Sequence, residues 1–74
     1  MNTIEDQVNN YFNKHGYDFT VYMDVLYDLG VIAVATSDTA VFGSTYTDCV
    51  KQIKYLERIV KEKFNEDGEE IKND

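Results

Sequence analysis

Few side chains here could do chemistry: one histidine, His15, one cysteine, Cys49, and aspartates at 18, 24 and 28 set among aromatic and branched apolar residues. A hydrolytic site needs a nucleophile, a base and an orienting group in one place. His15 is the only side chain that ordinarily titrates near neutral pH. It falls at the expected end of a helix, where a cation is favoured, and needs no catalytic explanation. Cys49 sits on the apolar stripe of a later helix and reads as a buried structural thiol. One histidine and one cysteine are too few for a zinc site. Asp38 and Asp48 bracket a segment without the oxygen-rich spacing of a calcium loop, and no phosphate-loop lysine follows Gly43, Ser44 and Thr45. Asp24 and Asp28 could pair as acid and base only inside a pocket, which a small sheet does not offer. The residues point away from an enzyme, and no cofactor or metal is implied.

The aspartates then read either as a binding surface or as an ordinary wet sheet face whose acids prevent edge aggregation. Sorted at period two, Phe19, Val21, Met23, Val25, Tyr27 and Leu29 share one face, and Asp18, Thr20, Tyr22, Asp24, Leu26 and Asp28 share the other. Together with the β-branched and aromatic content, that sorting predicts a strand over 18–27, turning through Asp28, Leu29 and Gly30. At roughly 3.3 Å per residue, Asp24 and Asp28 stand about 13 Å apart, and Asp18 and Asp24 about 20 Å apart. A row spaced like phosphates along a nucleic-acid strand could occupy a basic groove, with Tyr22 and Leu26 as apolar anchors.

The elements that must position this row follow from the flanking sequence. Thr3 and Asp6 form a capping-box-like start to a helix over 4–15, with Ile4, Val8, Tyr11 and Phe12 on one face and Gly16 as its stop. VIAVAT, residues 31–36, is apolar at nearly every position and predicts a central strand. Ser37, Asp38 and Thr39 supply a turn, and Ala40–Phe42 a short third strand ended by Gly43. Thr45 and Asp48 suggest a second capped start, and Tyr46, Cys49, Val50, Ile53, Leu56, Val60 and Phe64 at helical spacing predict a helix over 46–64. The expected fold is α+β in the order α-β-β-β-α. It is a three-stranded antiparallel meander with two helices packed on one face. Residues 1–64 form the single domain, and the acidic stretch 65–74 is expected to be a flexible tail.

The formal net charge is -7, which argues against direct nucleic-acid binding through phosphates and either favours a basic partner or keeps a small domain soluble. Charge is unevenly spread: -5 over residues 1–46, +2 over 47–64 and -4 over 65–74. Lys51, Lys54, Arg58 and Lys61 recur at helical spacing as a basic stripe, either a solvated helix face or a docking place for the acidic tail. No basic segment followed by an apolar run opens the chain, and no apolar run approaches the roughly 20 residues of a membrane span. A single cysteine suits a reducing compartment, so a cytoplasmic protein without membrane contact is expected. Apolar atoms on both sides of the middle strand leave a homodimer through the open sheet face as the alternative association. At this length, stability should be on the order of 4 to 11 kcal/mol.

Two resemblances attach to this layout. VFGSTYTDCVKQIKYLERIV, Val41–Val60, resembles the strand-to-helix corner of HicB-type antitoxins, in which a small residue and threonine precede a helix that begins with an acid. As a very short, acidic, cysteine-poor domain with a helix, a meander and a helix beginning at GSTYTDC, the whole chain resembles the small inhibitors of mobile elements, especially anti-CRISPR proteins of the Cas9-inhibitor type. The second resemblance implies inhibition of a basic nucleic-acid-handling protein, most concretely a CRISPR effector nuclease, by nucleic-acid mimicry or steric blocking. Asp18, Asp24 and Asp28, with Tyr22, would be its contacts.

Overall fold

In the computed structural model, which describes residues 3–37 and 43–71, the Thr3 hydroxyl accepts from the Asp6 amide at 3.1 Å and the Asp6 carboxylate accepts from the Thr3 amide at 3.3 Å. This reciprocal box satisfies two helix-end donors and starts α1, Ile4–His15. The helix stops at Gly16, whose φ of 93° favours glycine and whose amide donates to the Phe12 carbonyl at 2.7 Å. Val8 and Phe12 are buried, with Ile4 and Tyr11 packed beside them, as the spacing predicts. Thr3→Ala should lower stability by about 1 kcal/mol, the usual worth of such a cap, read as a shift in the urea midpoint at unchanged slope.

The α+β expectation is overturned in the next segment. Residues 18–27 and 31–36 do not form strands: Phe19–Thr36 is one uninterrupted helix, α2. The expected turn at Asp28, Leu29 and Gly30 lies inside it, and Gly30 is an ordinary helical residue despite its cost of about 1 kcal/mol relative to alanine. The winning pattern is Tyr22, Val25, Leu29 and Ala33, all buried, at spacings of three and four. The rest of the segment is so apolar that period-two sorting also looked orderly. Length separates the two readings, because 18 residues without an internal break suit a helix far better than a strand. No strand occurs among the described residues. The expected third strand, 40–42, lies outside them.

The last helix, α3, spans Gly43–Lys63, so Thr45 and Asp48 lie within its first turns instead of capping it. Cys49 and Leu56 are buried along it, with Ile53, Ile59 and Val60 at the margin of the core. Phe64 follows directly and meets Phe19 edge-on at 5.4 Å and Tyr22 at 5.7 Å between ring centroids. The end of α3 thus lies at the start of α2, and the two helices run antiparallel as a hairpin. α1 packs on both helices, and its Phe12 ring lies 4.6 Å from that of Tyr22 in α2 and stacks on Tyr17 at 5.3 Å. The fold is therefore all-α, elongated at 47 × 23 × 16 Å.

The acidic segment after α3 folds back. Asn65 Oδ1 accepts from the Asp67 and Glu69 amides at 2.9 and 3.0 Å, and the Ile71 amide donates to the Lys63 carbonyl at 2.8 Å. Gly68, with φ of 81°, comes so close to the Phe19 ring that a Cβ there would lie 2.9 Å from Cδ2. Lys63 is held over this corner, its Nζ 5.5 Å from the Tyr17 ring centre, 5.4 Å from Tyr22 and 5.6 Å from Phe64, where the ring faces attract its charge.

Candidate functional site

A helix separates the aspartates differently from a strand. With about 1.5 Å of rise per residue, Asp24 and Asp28 fall one turn apart, about 6 Å along the axis, and Asp18 about 9 Å before Asp24. The long row spaced like phosphates is replaced by an adjacent pair, with Asp18 apart from it. All three are exposed. Asp18 precedes the helix and its side chain makes no cap hydrogen bond. Asp28 borders a shallow cleft of about 170 Å³ with Ile4, Gln7, Val8, Tyr11, Val25, Leu29 and Ile32, turned toward α1. A like-charged pair four residues apart on a helix is mildly destabilising, so neither acid is explained by helix stability.

The expected apolar anchors divide. Tyr22 is only 5 % exposed, its ring enclosed by Phe12 and Phe64, and it cannot reach a partner in this fold. Leu26 is half-buried against the core and its outer edge borders a surface groove with Tyr27, Gly30, Val31 and Val34. That groove was hidden from a strand reading, which assigned Tyr27 to the core. Tyr27 is 73 % exposed, Val31 53 % and Val34 74 %, and their spacing of four and three places them in line on the outer side of α2. The signal that could have found them is the excess of apolar residues around α2, more than one buried stripe requires.

The basic stripe lies along α3. Lys51, Lys54 and Arg58 surround a shallow groove with Tyr55, and the Arg58 guanidinium lies 5.9 Å from the Tyr55 ring centre. The described part of the acidic tail does not dock there; residues 65–71 close instead over the start of α2.

His15 packs against Tyr11 at 4.3 Å between rings, with Lys14 beside it in the last turn of α1. Cys49 is fully buried. Among the described residues no group of His, Cys, Asp and Glu is arranged to hold a metal ion. Burial pushes the Cys49 thiol above its ordinary value, with the Asp48 charge adding to it. Burial likewise raises the Tyr22 hydroxyl, helped by Tyr17 and Tyr55. The folded state therefore keeps protons that the unfolded chain releases, so this contribution to stability is whole below the unfolded values and is lost as pH rises past them. The denaturation midpoint should fall as pH passes about 9 and then about 10. Cys49→Ala should remove the first part of that decline and Tyr22→Phe the second, measured by urea titration at a series of pH values.

The expectation that no apolar run reaches the length of a membrane span is corrected by α2, whose 18 residues, with a mean hydropathy of 1.4 and only 22 % of them buried, could cross a membrane by length and composition. Asp24 and Asp28 stand near its middle, where each carboxylate would cost about 2.5 to 3.5 kcal/mol in lipid, and its buried stripe is already covered by protein. No family model, curated protein or solved structure matches the chain.

Proposed function

We propose that this chain is a non-enzymatic binding protein that docks through the outer face of α2 onto a basic, nucleic-acid-handling protein and blocks it sterically. The observation that carries the reading is the placement on one helix of exposed Tyr27, Val31 and Val34 beside the exposed pair Asp24 and Asp28. An apolar centre with charges at its margin is how protein interfaces combine affinity with orientation. The acids select a partner whose apolar groove is rimmed by lysine and arginine, as grooves that hold nucleic acid are. Mimicry by a strand row no longer applies, since the carboxylates do not form one. With no meander among the described residues, architecture lends the inhibitor resemblance no support, and the reading rests on the α2 face. A CRISPR effector nuclease remains the concrete partner to test.

Titration of the chain onto an immobilised effector nuclease tests this. The Asp24→Asn, Asp28→Asn double variant should bind at least about tenfold more weakly at low salt, and the difference should shrink as salt screens the charges. Equal binding of the two proteins at all salt concentrations would reject the electrostatic part of the reading, and no binding by either would reject this partner.

A further inference from the structure

The outer strip of α2 is also complementary to itself, and we propose that a second copy of this chain covers it when no other partner is bound. The two α2 helices would pack antiparallel about a two-fold axis, so that self-association competes with docking. The competition rests on the function proposed above; the pairing does not.

Exposed apolar surface is the first support. Tyr27, Val31 and Val34 are 73 %, 53 % and 74 % exposed and continue into the half-buried Leu26 and Met23, a contiguous apolar strip of the kind that marks an interaction site on a protein surface.

Gly30 is the second. A Cβ at Gly30 would meet nothing within 4 Å, so packing inside the chain does not require glycine there. The missing side chain leaves a notch on the outer surface, bordered by Leu26, Tyr27, Val31 and Val34. With the two-fold axis passing between residues 28 and 29, Tyr27 faces Gly30 of the second copy, Leu26 faces Val31 and Met23 faces Val34. Each tyrosine ring then seats in the notch of the opposite helix, and each of these three pairs is apolar or glycine.

Charge selects the antiparallel direction. The only charged residues within α2 are Asp24 and Asp28. A parallel pair would set each Asp24 beside its mate, while the antiparallel pair separates them by about 13 Å along the axis, beyond the screening length of about 8 Å at physiological salt. Asp28 is turned toward α1, off the contact.

Both copies carry a net charge of -7, so salt should strengthen this dimer while weakening attraction to a basic partner. Sedimentation equilibrium of the full chain at low and high salt, with Gly30→Gln and Val34→Glu alongside, tests the pairing. The expected result is a dimer whose dissociation constant falls as salt rises and increases at least about tenfold in each variant, with helicity unchanged by circular dichroism. A monomer at every concentration and salt would overturn the proposal, as would a dimer indifferent to both substitutions. So would a monomer in buffer that floats with phosphatidylcholine vesicles, which would assign the strip to lipid. A dimer that binds no nuclease would leave the pairing intact and count only against the proposed function.

Discussion

Phe12→Ala should cost about 3 to 5 kcal/mol, a large part of the roughly 4 to 11 kcal/mol available to a chain of this length. The size follows from what the ring does. Phe12 is buried, stacks on Tyr17 and packs on Tyr22, so it fastens α1 to the hairpin and covers the joint between α1 and α2. Its neighbours are rings that cannot collapse into the vacated space, which puts the loss toward the upper end of the range. The consequence is also local: a 12-residue helix is too short to persist alone in water, so α1 should melt when it loses its anchor. Urea denaturation should show the lowered midpoint, and the far-ultraviolet signal before the transition should already be reduced. A variant with native stability would mean that α1 is held by something other than this aromatic joint.

The second large effect concerns binding and leaves the fold alone. Tyr27→Ala with Val34→Ala removes two side chains that are 73 % and 74 % exposed, and surface truncations of this kind usually change stability by no more than about 0.5 kcal/mol. If the α2 face docks a partner, the same side chains lie at the centre of the contact, where truncation of an anchor costs about 2 kcal/mol or more. Affinity should therefore fall by roughly thirtyfold with the denaturation curve unmoved at concentrations low enough that the chain is monomeric. Calorimetric titration of the variant and the unaltered chain against the effector nuclease, beside their urea curves, separates the two. Retained affinity would show that Tyr27 and Val34 are ordinary exposed apolar residues.

How legible the molecule was depended on how many signals each segment carried. In α1 the cap at Thr3, the apolar spacing and the stop at Gly16 agree, and the sequence reading matches the structure from residue 4 to 15. In α3 the buried spacing was clear, but the cap-like Thr45 and Asp48 drew the start three residues late. α2 carried conflicting signals: valines and tyrosines of high strand propensity, an Asp-Leu-Gly that resembles a turn, and apolar residues in nearly every direction. Propensity is a weak prior, and tertiary burial overrode it. The error had consequences for the site. Tyr22, assigned to solvent, is in the core, and Tyr27, assigned to the core, is among the most exposed side chains. Asp18, Asp24 and Asp28 are exposed in either geometry, because an unpaired carboxylate is rarely buried.

A body 47 Å long and 16 Å thick does not tumble equally in all directions. Turning about its short axes displaces far more water than spinning about its length, so rotational diffusion is anisotropic. Amide vectors along α2 and α3, which run with the long axis of a helical hairpin, should reorient more slowly than those that lie across it. Any orientation-dependent encounter is affected in the same way. The outer strip of α2 runs along the slow direction, so the line of the strip keeps its heading longer than it would on a spherical protein of equal mass, while the faster spin about that line turns the strip toward or away from a surface.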